Sequence, residues 1–360
     1  MQNSRDKINV NDITDKEYGK MDKRIGWIDT ARGILMILIL LFHTEVYYAG
    51  EEIIPYGLYV ANALMAFFFI SGYLFYKENG GTAFSLKRKL RSILRGIVMP
   101  YFIFTTAMAL PKAMAHGNFT SLTDIADNIA TGHASWFVTA LAVAETIFAA
   151  ALHAAEKHGW RWLLPLLCTV AVIATFTTDS GIMLIWNANI ALMALPYLYC
   201  GYAFHKYETL TCKYLNRTWL TVMAAVTLVL KWYEWTEGMS MLVFPLDITS
   251  FPVFFTDTLL SAVLIVHMAR MLPQHPLVMF TGRNSIVYYF LCGGVPLLVS
   301  AVMGRMGLAY SGNYIMVTVV LIIVYAAATV MTWAVCRYVP FVTGRKSTVK
   351  PLSSKVHGGV

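Results

Sequence analysis

Long apolar runs separated by short polar ones fill most of this chain. The runs fall near residues 27–48, 53–76, 96–115, 136–155, 160–178, 182–204, 215–236, 248–271, 284–306 and 312–337. Each approaches the roughly 20 residues that a helix needs to cross about 30 Å of hydrocarbon. The pattern predicts an all-α fold, a polytopic membrane helical bundle of about ten transmembrane helices. Residues 1–26 read as a polar tail, 27–338 as the membrane domain and 339–360 as a second, basic tail. The polar opening lacks the shape of a cleavable leader, and the first apolar run is long enough to stay as an anchor. No internal repeat stands out, so the inverted repeat found in many secondary transporters leaves no trace here.

Composition agrees with the pattern: 58% of positions are hydrophobic and only 13% charged, too apolar for a soluble domain of 360 residues. Charge then orients the bundle. With the N-terminus inside, 24 of the 28 Lys and Arg residues fall in cytoplasmic segments, leaving Lys112, Lys231 and Arg305 outside and Arg32 within the membrane. The outer loops hold Glu51, Glu52, Asp124, Asp127, Asp179, Glu234, Glu237 and Asp247. Such an imbalance places both termini in the cytoplasm. It also accounts for the net charge of +8, so no nucleic-acid partner is expected. The five cysteines show no CxxC spacing and sit in or beside apolar runs, which implies packing and neither a disulfide framework nor a metal site.

The first run, WIDTARGILMILILLFHTEVYY, carries Asp29, Arg32 and His43 where a lipid-facing helix carries no charge. Arg32 and His43 are eleven residues apart, which returns to within about 20° of one face, roughly 16 Å along the axis. Intramembrane ionisable groups face a bundle interior or a water-filled cavity, so this helix reads as the wall of a site. An imidazole at His43 can take a proton from a hydroxyl and return it, the chemistry of acyl transfer to an alcohol, and the plain alternative is helix packing. Asp29 and Arg32, three residues apart, either pair with each other or receive a ligand's phosphates.

The basic stretch 77–95 includes Arg88, Arg91 and Arg95, guanidiniums suited to a polyphosphate such as the nucleotide end of coenzyme A. Cytoplasmic topology and anionic lipid explain the same cluster without a ligand. Glu145 is a carboxylate well inside a span, placed to orient His43, to bind an acceptor hydroxyl or to bridge helices. Glu45, Asp257 and His267 are weaker candidates at the interfaces. No GxSxG, HExxH or Walker-type loop occurs.

With these residues the chain resembles the membrane acyltransferase 3 family, in its fucose 4-O-acetylase-like branch. The match rests on an Arg-x10-His signature, Arg32 to His43, and on the aromatic run FFFISGYLF, Phe67 to Phe75. Arg88 and Arg91 ahead of Pro100-Tyr101, Trp136-Phe137 leading to Glu145, and Gly282-Arg283-Asn284-Ser285 add to it. Two positions depart: Met65 stands where relatives often carry Pro, and Cys292 where they carry His. The resemblance implies transfer of an acyl group, usually acetyl, from cytoplasmic acyl-CoA to a hydroxyl of a carbohydrate or glycolipid of the cell envelope. It implies residence in the cytoplasmic (inner) membrane of a bacterium and no metal. His43, Arg32 and Glu145 are the expected catalytic residues, with His43 as general base or as a covalent acyl carrier. Arg32, Arg88, Arg91 and Arg95 are the expected acetyl-CoA contacts, and Asp29, Ser71 and Trp136 the expected substrate contacts. A transporter or flippase for a lipid-linked sugar, which also needs a cavity lined by Arg, His and Glu, is the competing reading.

Overall fold

The computed structural model describes residues 25–76, 85–115, 121–178, 184–214 and 216–343. Residues 1–24 of the expected N-terminal tail, most of the C-terminal tail and Lys77 lie outside them. Helix α1 (Gly26–Thr44) runs on through a π turn, Glu45–Ala49, and stops at Gly50, whose φ of 81° a side chain rarely adopts. Its internal hydroxyls are satisfied within the helix, Thr30 donating to the Gly26 carbonyl at 3.3 Å and Thr44 to that of Leu40 at 2.7 Å. Helix α2 (Tyr56–Tyr73) is the most enclosed long helix, 83% of it buried, and it packs on α1, α8 (Ala188–Lys206) and α11 (Phe251–Met271). The longest apolar helix, α15 (Tyr314–Tyr338), is only 28% buried. That contrast fits a bundle whose rim faces lipid, where apolar side chains need no protein cover.

The basic stretch departs from the expected loop. From Leu86 onwards it is helical: α3 (Leu86–Ile93), a π turn (Leu94–Val98) and α4 (Met99–Ala115) follow one another. The Ser85 hydroxyl caps α3 by accepting from the Arg88 amide at 3.4 Å. Arg88, Arg91 and Arg95 thus stand three and four residues apart along helical turns, on an exposed face. After α5 (Leu122–Ala130) come α6 (Trp136–His158), α7 (Leu163–Thr178), α8, α9 (Glu208–Tyr214) and α10 (Arg217–Thr236). A two-residue hairpin, β1 (Met241–Leu242) antiparallel to β2 (Asp247–Ile248), links α10 to α11.

The 284–306 run does not form one helix. Helix α12 (Pro276–Arg283) precedes α13 (Ser285–Leu291) and α14 (Gly294–Arg305), the last two bent by 45° at Cys292-Gly293. Among the described residues, six helices can cross a membrane by length and apolar composition, or seven if the bent pair is one span. The remaining runs also fold as helices. However, α8 carries Asn189, three tyrosines and Pro196, and α10 carries Arg217, Lys231 and Glu234. Helix α7 is apolar but short, and α8 and α10 lack the uniform apolar character of a lone span.

Two helix crossings fix the frame around α1 and α2. A Cβ on Gly201 would meet the Phe69 carbonyl, and one on Gly72 the Leu198 carbonyl, so α2 and α8 cross backbone against backbone. Likewise, a Cβ on Gly282 would meet the Asp29 carbonyl and one on Gly33 the Val278 carbonyl, bringing α12 equally close to α1. Small residues permit such approaches between membrane helices.

Candidate functional site

Beside the α1–α12 crossing lies a cavity of about 290 Å³. Arg32 and Met36, one turn apart, line it from α1; Phe67 and Ser71 line it from α2; Lys89 and Ser92 from α3; Phe137 and Glu145 from α6; Arg283, Asn284, Ser285 and Tyr289 from α12 and α13. Arg88, Arg91 and Arg95 line an adjoining, more open groove, and Ser92 and Gly96 belong to both. The expected donor contacts are therefore gathered at one place, Arg32 inside and the exposed arginines at the mouth.

Glu145, 7% exposed, faces this cavity and not His43. The Lys89 ammonium is 2.8 Å from its Oε2, and the Ser71 hydroxyl makes a short hydrogen bond to its Oε1. Lys89 also rests over the Phe75 ring, 3.7 Å from its centroid. The expectation that Glu145 orients His43 is corrected here: both its oxygens are engaged by a helix of the basic stretch and by α2. Asp29 is 4% exposed and accepts from Arg283 Nε at 2.9 Å. Its ion pair therefore runs to α12, and not only within α1 as the three-residue spacing to Arg32 suggested.

His43 is half-buried and is not among the residues lining the Arg32 cavity. It lies further along α1, with its ring stacked on Tyr47 (centroids 6.2 Å, 16°) and set edgewise to Phe42 at 5.4 Å. Tyr47 in turn lies next to Cys292, and a Cβ on Gly293 would touch the Tyr47 hydroxyl at 4.0 Å. Cys292 donates its thiol to the Tyr289 carbonyl at 2.9 Å, and Tyr289 lines the cavity. The side chains around His43 thus adjoin the cavity lining at the break between α13 and α14. Irregular backbone at membrane depth is tolerated where it borders a cavity. The expectation of one pocket holding both residues is accordingly revised to two neighbouring stations on one helix.

Ser71 lies in the cavity as expected. Trp136 lies outside it, stacked on Phe244 (5.1 Å, 4°) and edgewise to Phe137, which does line it. The weaker candidates serve elsewhere. Glu45 is fully buried and accepts from the Tyr314 hydroxyl at 2.6 Å and the Ile54 amide at 3.3 Å, tying the end of α1 to α15 and to the loop before α2. Asp257, 1% exposed, is 2.6 Å from Lys231, which also reaches Glu234 at 3.0 Å and the Asn62 side-chain carbonyl at 2.9 Å. That cluster joins α2, α10 and α11. His267 lies further along α11 and is only half-buried.

Sequence reasoning had given no site role to Lys89, Arg283, Asn284, Ser285 or Tyr289, although Arg283, Asn284 and Ser285 entered the family resemblance. Arg283 was visible as a charge opening an apolar run, yet cytoplasmic topology accounted for it equally well. Around the cavity Arg32, Lys89 and Arg283 stand against Asp29 and Glu145, and the arginine groove adds to the positive balance. Such a setting draws in an anion. Residues 25–337 match a family model described as an acyltransferase domain. No curated protein and no solved structure matches the chain.

Proposed function

We propose, on the premise that this chain belongs to the acyltransferase 3 family and is a multi-pass membrane acyltransferase, that it moves an acetyl group from cytoplasmic acyl-CoA to a hydroxyl of an envelope carbohydrate or glycolipid. The observation that carries this reading is the cavity lined by Arg32, which adjoins the groove of Arg88, Arg91 and Arg95 through Ser92 and Gly96. Guanidiniums suit the phosphates of the donor, and the stretch of α1 from Arg32 to His43, about 16 Å, suits an extended pantetheine arm. At the far station His43 accepts the proton of the acceptor hydroxyl as its oxygen attacks the thioester carbonyl. The carbon–sulfur bond breaks, the ester forms and the proton passes to the leaving thiolate. Arg32 holds the donor, while Glu145 and Ser71, joined to Lys89, shape the inner wall. In this reading all ten apolar runs traverse the inner membrane of a bacterium with both termini cytoplasmic, and the charge asymmetry supports that orientation.

The test is acetyl-CoA turnover by the purified protein, together with mass spectrometry of surface glycans from cells with and without the gene. His43→Ala is expected to lower transfer by about a hundred- to ten-thousandfold, the usual worth of a general base, with expression and melting temperature nearly unchanged. Transfer at the parental rate removes His43 from the mechanism. Failure of the parent to bind or consume the thioester removes the donor.

A further inference from the structure

The donor reading leaves Arg283 unused, although it shares the cavity with Arg32. Arg283 closes α12, and α12 meets α1 where Gly282 lies against the Asp29 carbonyl and Gly33 against that of Val278. This contact leaves no room for a side chain, so the residues flanking the two glycines are held in a fixed relation: Asp29 and Arg32 on one helix, Arg283 on the other. Asp29 is almost wholly enclosed yet accepts from Arg283 Nε at 2.9 Å. The Arg283 side chain nevertheless remains 43% exposed, towards the cavity. A buried carboxylate that grips a guanidinium by Nε fixes its plane, and a fixed guanidinium plane suits the paired oxygens of a phosphate. The donor-facing arginines also fall into two sets. Arg88, Arg91 and Arg95 are exposed on the open groove, whereas Arg32 lies six residues, about 9 Å, inside the start of α1.

We propose that Arg283 is a donor-binding residue that shares the diphosphate of the acyl-CoA with Arg32, and that Asp29 is a positioning residue acting through Arg283. The nucleotide's remaining phosphate is left to the groove arginines. Asp29 then does not touch substrate, in contrast to the role the sequence suggested for it. The assignment rests on the donor reading above, and it needs the diphosphate to lie at the inner end of the cavity.

Steady-state kinetics and equilibrium binding of acetyl-CoA and of its 3′-dephospho analogue, measured on the whole protein in nanodiscs, test it. Arg283→Ala is expected to raise donor Kd and KM by about ten- to a hundredfold, as for a lost charge-assisted phosphate contact, with kcat at saturation within about threefold. The penalty should be the same for the 3′-dephospho donor. Arg283→Lys should recover part of the affinity, and Arg283→Gln replaces the alanine variant if that one fails to fold. Asp29→Asn should raise KM less than Arg283→Ala, and adding it to Arg283→Ala should cost no further affinity, because it works through the same guanidinium. Unchanged donor affinity in Arg283→Ala or Arg283→Gln overturns the assignment. So does a penalty that disappears with the 3′-dephospho donor, or an Asp29 effect that adds in full. A parent protein that binds neither thioester instead overturns the donor reading itself.

Discussion

Glu145 and Asp257 show how differently a buried carboxylate can be used in this bundle. Glu145 is held by Lys89 and Ser71 on the wall of a cavity, so changes there should register in catalysis. Glu145→Gln frees Lys89 and loosens α3 from α6, and it is expected to raise donor KM several-fold while leaving His43 chemistry intact; kinetics at saturating donor check this. Asp257 and Glu234 instead share one ammonium away from the cavity, and Lys231 is further bound to the Gly57 and Asn62 carbonyls. Lys231→Met strips two buried carboxylates of their cation. Breaking such a cluster costs on the order of 3 kcal/mol or more, so the melting temperature should fall clearly. Adding Asp257→Asn should restore part of the loss. Unchanged melting in Lys231→Met would show that the cluster does not hold α10 to its neighbours.

At the scale of elements, the glycine crossing and the basic helix carry separate predictions. Gly282→Ala drives a methyl into the Asp29 carbonyl, so α12 must shift away from α1. Overpacking of this kind costs about 1–3 kcal/mol, and here it also displaces Arg283 from Arg32, so reduced melting temperature and weakened donor binding are expected together. Gly304→Ala, with nothing near its Cβ, is the control and should do neither. On α3, Arg88→Ala with Arg91→Ala should weaken coenzyme A affinity more than turnover at saturation, because these groups are remote from the reacting carbon. Unchanged affinity would return that helix face to a purely topological role. The helical state of this stretch was legible in part: Leu86, Leu90 and Ile93 recur at helical spacing behind a Ser cap. The density of charge masked it, because a cytoplasmic loop needs the same residues.

For the molecule as a whole, the charge asymmetry predicts which face is cytoplasmic, and labelling checks it. In the proposed orientation and a cysteine-free background, Glu52→Cys, on an exposed loop, should react with an impermeant thiol reagent in intact cells, and Ser85→Cys only after the membrane is opened. The reverse result would invert the bundle and move the arginine groove away from cytosolic donors. Composition and pattern alone determined that the chain is a helical membrane protein and that one stripe of the first helix is polar. These are local properties, fixed by each segment's own transfer energy between water and hydrocarbon. Tertiary structure decided the rest: that Asp29 answers to Arg283, 254 residues away, that Glu145 answers to Lys89 and not to His43, and that the ninth run breaks beside Tyr47. Helical periodicity tells which face a residue occupies but not which helix lies opposite, and that choice falls to close backbone crossings at glycines, which no single segment encodes.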